Sequence, residues 1–150
     1  MTDAIKNILI DYHALIELPI QWGDMDSANH VNNVMYARYS ESARIAYLER
    51  LEKEKPLNFS NDVGPILAEL NILYKIPLSY PDVVYLGTKV IALPDEYSYI
   101  METLIVSKKY EKIACKATAR MVSYDYNKKQ KAPTPEWMRI KIEETEKRLF

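Results

Sequence analysis

The first clear pattern along the chain is an alternation of apolar and polar residues over residues 16–22. Such a period of two is typical of a half-buried β-strand. The turn-forming residues of 23–29 then end the strand. Residues 33–52 contain neither Pro nor Gly and predict a helix with apolar side chains around most of its circumference. A helix apolar over so wide an arc is largely enclosed by other elements. The remaining polar stripe consists of Arg38, Glu41, Glu49 and Glu52.

Four further strands are predicted after the helix. Residues 53–65 hold charges, two prolines and an Asn-Asp pair, which indicates a connecting loop. A basic loop and a charged amphipathic helix follow the last strand. The strands are predicted over residues 66–76, 83–93, 97–109 and 112–126, the basic loop over 127–135 and the last helix over 136–150.

The last predicted strand indicates how the long helix packs. Three of the five residues on one of its faces are small, and small side chains let a helix approach a sheet closely. The order of elements predicts an α+β fold in which a five-stranded antiparallel sheet wraps around one central helix. We predict a single domain over residues 1–150, with a helical extension from about residue 134. The residues of that face are Ile113, Cys115, Ala117, Ala119 and Met121.

Composition and charge argue against several classes of function. Twenty basic and 21 acidic residues give a net charge of −1, so bulk charge does not favour nucleic acid or an anionic membrane. No run approaches the ~20 apolar residues that a membrane span needs, and the N-terminus does not have the pattern of a signal peptide. The single cysteine, Cys115, excludes an internal disulfide. We therefore predict a cytoplasmic protein without membrane insertion.

The residues that can carry chemistry concentrate at the junction between the first strand and the long helix. Residues 22–36 include two carboxylates, one of the two histidines and three asparagines. A helix N-terminus carries free backbone N–H groups and about half a positive charge. Such donors can stabilise a developing oxyanion by about 3 kcal/mol each. A carboxylate a few residues upstream can act on the same carbonyl as a base or a nucleophile.

The same residues allow two plainer interpretations. Asp24, Asp26, Asn32 and Asn33 are of the types that form turns and helix caps. A metal site is a second alternative, because carboxylates and imidazole are common ligands. Against it, no further Cys or His lies close in sequence to Asp24, Asp26 and His30. A single histidine is also more often a structural residue than a catalyst.

The junction carries a recognisable combination of residues. Trp22 to Asp26 are followed by His30 to Asn33, Tyr36, Tyr39 and Glu41 to Arg44. This combination resembles the acyl-CoA thioesterase family typified by 4-hydroxybenzoyl-CoA thioesterase, and is closest to a branch with the signature D-x-D-x-x-x-H-V-N-N-x-x-Y. The resemblance extends over roughly residues 14 to 140. It implies a hot-dog fold that assembles as a homodimer or as a homotetramer (a dimer of dimers), with active sites at the dimer interface.

The resemblance also implies roles for individual residues. The catalytic aspartate of the family falls on Asp26. The position whose backbone N–H faces the thioester carbonyl falls on Asn33, with Asn32 beside it. His30 is expected to shape the loop or orient a neighbour, and Asp24 is expected to be structural.

Three smaller expectations concern the loop and the helix. The residue before His30 is commonly glycine in this branch and is Asn29 here; asparagine is the next most tolerant of a left-handed backbone. Tyr36 is expected to pack in the core while lying close enough to the motif to support the site. Glu41 and Arg44 are expected to form an ion pair on the helix.

The implied activity is hydrolysis of an acyl-CoA thioester to free acid and CoA, without a cofactor or a metal. Asp26 would be either the nucleophile or the general base, and the helix amides would form the oxyanion hole. Two rivals stay open: a hot-dog dehydratase or hydratase, and a non-catalytic acyl-thioester binding protein. The candidates for binding the CoA phosphates are Lys128, Lys129 and Lys131, with Lys108, Lys109 and Lys112 as a second basic cluster.

Overall fold

The computed structural model describes residues 1–52 and 63–150. A short 3₁₀ helix, Trp22–Asp24, follows the first strand. The other elements are α1 (Asp3–Ile8), β1 (Ala14–Pro19), α2 (Asn33–Leu51), β2 (Val63–Tyr74), β3 (Val83–Asp95), β4 (Ser98–Ser107), β5 (Lys112–Asp125), β6 (Gln130–Lys131) and α3 (Glu136–Glu146).

The strands form one antiparallel sheet in the order β1-β3-β4-β5-β2. This sheet curls around α2, so the predicted hot-dog arrangement is confirmed. A two-residue strand, β6, also pairs with the end of β5, within the segment that the sequence predicted as a loop. Strand β2 lies at one edge of the sheet and pairs with β5 alone, a position that places its end beside the start of α2.

Helix α2 packs its apolar side against the inner face of the sheet. Of the predicted polar stripe, Arg38 and Glu49 are exposed, whereas Glu41 and Glu52 are partly buried. Helix α2 is less enclosed than predicted, because the side chains of Val34 and Ile45 are 65% and 41% exposed. The buried apolar residues of the helix are Tyr36, Tyr39, Ala43, Tyr47, Leu48 and Leu51.

The N-terminal helix α1 covers the outer face of the sheet and was not predicted. Six residues form too short a helix to be stable alone, so tertiary packing stabilises it. Its segment buries Ile5, Leu9 and Tyr12 against Tyr85 and other outer-face residues. Ile113 also packs there rather than on the inner face, because a register shift near the start of β5 reverses the alternation at that point. Its predicted place beside Cys115 was wrong.

Several boundaries differ from the prediction. Strand β2 begins at Val63, so residues 63–65 belong to a strand and not to the predicted loop, while residues 53–62 of that loop lie outside the described residues. Helix α3 ends at Glu146, where Lys147 adopts a left-handed conformation. The expected pair of Glu41 with Arg44 is replaced by one with Arg38. Arg44 is buried and donates to Ser40 Oγ at 3.0 Å.

Across the described ranges 1–52 and 63–150, no helix combines the length and the apolar character that crossing a membrane requires.

Candidate active site at the start of the central helix

The loop before α2 holds Asp26 in a tight turn. The backbone N–H of Asp26 donates to the His30 carbonyl at 2.9 Å, and the Asn29 N–H donates to the Asp26 carbonyl at 3.0 Å. Asn29 has a φ of 59°, so the expected left-handed position is confirmed. The Ala28 N–H donates to Asp26 Oδ1 at 2.8 Å. These bonds orient the carboxylate, whose side chain is exposed in the single chain.

The first turn of α2 leaves one backbone donor for a ligand. Asn32 caps the helix, because its Oδ1 accepts from the Val34 N–H at 3.0 Å. Its carbonyl accepts from the Met35 N–H at 2.9 Å. Within the described residues no group accepts from the remaining N–H of this turn, that of Asn33. A helix start with a free amide is suited to stabilising negative charge.

Asp24 is tied into the scaffold under the loop. Its Oδ2 accepts from the Tyr39 hydroxyl at 2.5 Å and from the Gln21 N–H at 2.8 Å. Its carbonyl accepts from the Asn32 N–H at 2.9 Å. Burial, and then the hydrogen bond to Asp24, raise the pKa of Tyr39, so the tyrosine stays a neutral donor. Asp24 therefore connects the loop to the helix rather than facing a ligand.

Asp26 and Asn33 line one open cleft of about 330 Å³. The structure therefore brings the predicted carboxylate and the predicted amide position together, with His30 and Tyr36 in the same wall. Asn32 and Asp24 lie behind this surface and hold it in place. The other lining residues are Val31, Tyr74, Lys75, Ile76 and Pro77.

The far wall of the cleft comes from the end of β2 and was not predicted as part of the site. Tyr74 donates from its hydroxyl to the Asn33 carbonyl at 3.1 Å, and its ring packs edge-on against Tyr36, with 5.1 Å between centroids. The Tyr36 hydroxyl accepts from the Leu78 N–H at 3.1 Å, and the Leu78 carbonyl accepts from the Val31 N–H at 2.8 Å. The segment after β2 is thereby joined to the start of α2.

A length argument could have found this wall. A helix of 19 residues is about 28 Å long, and a strand of 12 residues about 40 Å. A strand that returns along the helix therefore ends near the helix start, and Pro77 marks the end of that strand in the sequence. Motif matching alone does not reveal the contact, because Tyr74 lies 41 residues after Asn33.

The two basic clusters lie at opposite ends of β5. Lys128, Lys129 and Lys131 follow Asp125, which is ten residues, or about 33 Å of strand, beyond Cys115 near the cleft. They do not line the cleft of this chain. The second cluster flanks the β4–β5 turn at the same end of the sheet as the cleft. Lys75, which the prediction did not include, lies in the cleft wall itself.

The described residues contain neither a group of metal ligands nor a reactive cysteine that could form a second candidate active site. Over 1–52 and 63–150, no three His, Cys, Asp or Glu side chains are grouped as metal ligands. Cys115 is fully buried, and burial raises the pKa of its thiol to about 12. A thiol of that pKa is a poor nucleophile at neutral pH. His13 lies away from the cleft, with its Nε2 3.5 Å from Glu146 Oε2.

Comparison with protein families gives one match over most of the chain. The model of the thioesterase-like superfamily matches residues 20–142. The matched range includes the Asp26 loop, the whole of α2 and the four long strands that follow it. No curated protein sequence matches the chain.

Solved structures share the fold over most of their length. A thioesterase from Thermus thermophilus, complexed with coenzyme A and Zn, is 26% identical with a TM-score of 0.78 over 92% of this chain and 98% of the other. A 1,4-dihydroxy-2-naphthoyl-CoA thioesterase from Synechocystis is 16% identical with a TM-score of 0.74 over 86% and 94%. A DHNA-CoA thioesterase from Staphylococcus aureus is 18% identical with a TM-score of 0.68 over 80% and 79%. The last two support the fold alone.

Proposed function

Since the chain belongs to the thioesterase-like superfamily, we propose that it hydrolyses an acyl-CoA thioester at the cleft between the Asp26 loop and the start of α2. The observation that carries the proposal is that Asp26 and the free Asn33 N–H line the same cleft. The Thermus thermophilus thioesterase with bound coenzyme A supports CoA as the carrier.

In the proposed mechanism the thioester carbonyl lies against the first turn of α2. The Asn33 N–H donates to the carbonyl oxygen and stabilises the negative charge that develops there. Asp26 either attacks the carbonyl carbon, giving a mixed anhydride that water then hydrolyses, or takes a proton from an attacking water. CoA leaves as a thiolate, and because thiols have a pKa of about 8.5, no strong general acid is needed.

His30 and Tyr36 support the site in this proposal. The His30 carbonyl closes the turn that presents Asp26. Tyr36 is buried, and burial raises the pKa of its hydroxyl. It therefore packs as a neutral wall of the cleft instead of taking part in proton transfer.

The decisive experiment is Asp26→Asn, assayed for thiol release from a panel of acyl-CoAs and acyl carrier proteins. We expect turnover to fall by about 10² to 10⁴-fold, the usual contribution of a positioned base. Asp3→Asn is the matched control, because Asp3 is an exposed carboxylate on α1 and pairs only with Lys6 in the described structure. Near wild-type turnover in Asp26→Asn would contradict the mechanism.

The same panel separates the rival functions. A dehydratase or hydratase would convert crotonyl-CoA without releasing thiol. A binding protein would bind CoA esters and leave every one of them intact. An acyl-CoA thioesterase releases thiol from at least one acyl-CoA and loses that activity with Asp26.

We further propose that the working form is a homodimer joined through β2, with the homotetramer as an assembly of two such dimers. One edge of β2 is unpaired within the described chain, and unpaired edges are templates for pairing with another strand. Four apolar residues of this strand are 42–52% exposed, and its end forms a wall of the cleft. These residues are Ile66, Leu67, Leu73 and Tyr74.

Light scattering coupled to gel filtration tests the assembly. Wild type is expected to elute as a dimer or a tetramer. Leu73→Lys is expected to shift the population toward monomer and to lower turnover, because it places a charge on the proposed contact. Leu15→Lys is the control, since Leu15 is similarly exposed (46%) on β1, the opposite edge of the sheet. A monomeric wild type with full activity would contradict the proposal.

The phosphates of CoA require cations, and the two lysine clusters can be compared directly. Triple Lys→Gln variants at 128, 129 and 131 and at 108, 109 and 112 are expected to differ in KM for acyl-CoA. If the first cluster binds the nucleotide, it does so across the dimer, because it lies far from the cleft of its own chain. The cluster whose removal raises KM, with little change in kcat, is the phosphate site.

The organisation as a single domain over residues 1–150 and the cytoplasmic location belong to the same proposal. Both were predicted from the sequence, and both stay predictions. Limited proteolysis of the purified chain and fractionation of cells that express it test them.

A further inference from the structure

We infer that Tyr74 is a positioning residue for the Asn33 N–H, a role that rests on the proposed thioester hydrolysis. Tyr74 ends β2, whereas Asn33 begins α2, so the two come together only in the folded chain. Its hydroxyl donates to the Asn33 carbonyl at 3.1 Å, and both residues line the cleft that holds Asp26.

The peptide groups on both sides of the Asn33 Cα are held by hydrogen bonds. In the preceding peptide, the Asn32 carbonyl accepts from the Met35 N–H at 2.9 Å. In the following peptide, the Val34 N–H donates to Asn32 Oδ1 at 3.0 Å, while the carbonyl accepts from Tyr74. The first two of these bonds join residues 32–35 to one another. Tyr74 adds the bond from the sheet to the backbone of Asn33 itself, and it thereby helps to fix the direction of the Asn33 N–H.

The ring of Tyr74 packs against a buried tyrosine. It meets Tyr36 edge-on, with 5.1 Å between ring centroids and 84° between planes. Tyr36 is buried, and its hydroxyl accepts from the Leu78 N–H, which follows β2 in the chain. The ring therefore has a rigid partner, and its hydroxyl is presented at a defined distance from the helix start.

Positioning of this kind affects the transition state more than substrate binding. A donor aimed at the developing oxyanion acts when charge appears on oxygen, and small misplacements of such groups reduce the rate strongly. Removing the Tyr74 hydroxyl leaves the ring, the cleft wall and the Asp26 loop in place. We therefore expect the loss to fall on kcat, with little change in KM.

The test is Tyr74→Phe in the full chain, with Tyr124→Phe as the matched control. Tyr124 also packs edge-on against a tyrosine, Tyr126, at 5.2 Å and 74°, but it lies at the other end of β5 and outside the cleft. The expected result for Tyr74→Phe is a decrease in kcat of about tenfold, a fraction of what loss of an oxyanion donor causes. KM is expected to stay within about twofold, and the oligomeric state is expected to be that of wild type.

A second readout does not depend on turnover. Hydrogen exchange of the Val34 backbone amide, followed by NMR, is expected to accelerate in Tyr74→Phe and to be unchanged in Tyr124→Phe, because this N–H shares a peptide group with the Asn33 carbonyl and is protected by its bond to Asn32 Oδ1. An exchange rate like that of wild type overturns the inference, and so does a kcat within about twofold of wild type. A wild-type protein that releases no thiol from any acyl-CoA instead defeats the proposed function, which distinguishes the two failures.

Discussion

The Tyr39 hydroxyl donates to Asp24 Oδ2 at 2.5 Å, joining the second turn of α2 to the loop that carries Asp26. Tyr39 is buried, and Asp24 is partly buried two residues before Asp26. The first aspartate of the D-x-D pair is therefore an anchor, and the second is presented to the cleft. The same short motif contains one carboxylate for structure and one for the proposed chemistry.

Removal of this anchor is expected to destabilise the protein. Tyr39→Phe removes a hydrogen bond to a charged group, which is worth about 2 kcal/mol, and leaves the Gln21 N–H as a remaining donor to Asp24. Urea unfolding measures the free energy. A double-mutant cycle with Asp24→Asn should give a coupling energy of at least about 1 kcal/mol. Strict additivity of the two single changes would show that the contact contributes nothing.

Gly87 is expected to be required for the docking of the N-terminal segment on the sheet. A Cβ atom at position 87 would lie 2.7 Å from Cβ of Tyr12 and 2.8 Å from Cδ2 of Leu9. Gly87→Ala should therefore lower the free energy of unfolding by about 1–3 kcal/mol, the usual cost of overpacking. Gly23→Ala is the control, because a Cβ there meets nothing within 4 Å. Equal stabilities of the two variants in urea would refute this account.

Two buried tyrosines are expected to respond to Phe with opposite signs. In the described structure the Tyr99 hydroxyl is buried without a hydrogen-bond partner, so Tyr99→Phe removes a desolvated polar group and should stabilise by about 1 kcal/mol. The Tyr47 hydroxyl donates to Glu146 Oε1 at 2.6 Å, so Tyr47→Phe should destabilise by at least that amount. Thermal unfolding of both variants measures the two changes in stability. A Tyr99→Phe variant that is less stable than wild type would show that the Tyr99 hydroxyl has a hydrogen-bond partner.

Glu102 is expected to make stability depend on acid pH. Burial alone would raise the pKa of this carboxyl, but donors from Lys116 and Tyr12, at 2.5 and 2.6 Å, hold it below the usual value. A lowered pKa in the folded state stabilises above the unfolded pKa of about 4.3, and this contribution is lost as the pH falls through the folded value. Lys89 Nζ lies 3.9 Å from the same carboxylate.

The corresponding experiment compares Glu102→Gln with wild type in urea from pH 7 to pH 3. The difference in unfolding free energy should be about 2 kcal/mol at pH 7, as for hydrogen bonds to a charged group, and should shrink below about pH 4. Glu49→Gln, on the exposed side of α2, serves as the control. A difference that is constant over this pH range would contradict the assignment.

Much of the site could be predicted because it is local. Asp26, His30, Asn32 and Asn33 lie within eight consecutive residues, and the hydrogen bonds that form the Asp26 turn and the helix cap join neighbours in the chain. Turns and helix caps are formed by particular residue types a few positions apart, so the sequence indicates them directly. The left-handed Asn29 was expected from the resemblance, because the related branch has glycine at this position, and its φ is 59°.

By itself, the sequence predicted a five-stranded antiparallel sheet around one central helix, with the Asp26 loop before that helix, because periodicity and capping are encoded over short stretches. The hot-dog fold followed from the resemblance of the loop residues to the thioesterases. Only the tertiary structure decided that Tyr74 and Lys75 complete the cleft, that α1 covers the outer face, and that Ile113 faces α1 rather than α2. These features depend on which distant segments meet in three dimensions. Such contacts are set by packing across the whole sheet, and no local pattern of residues records them.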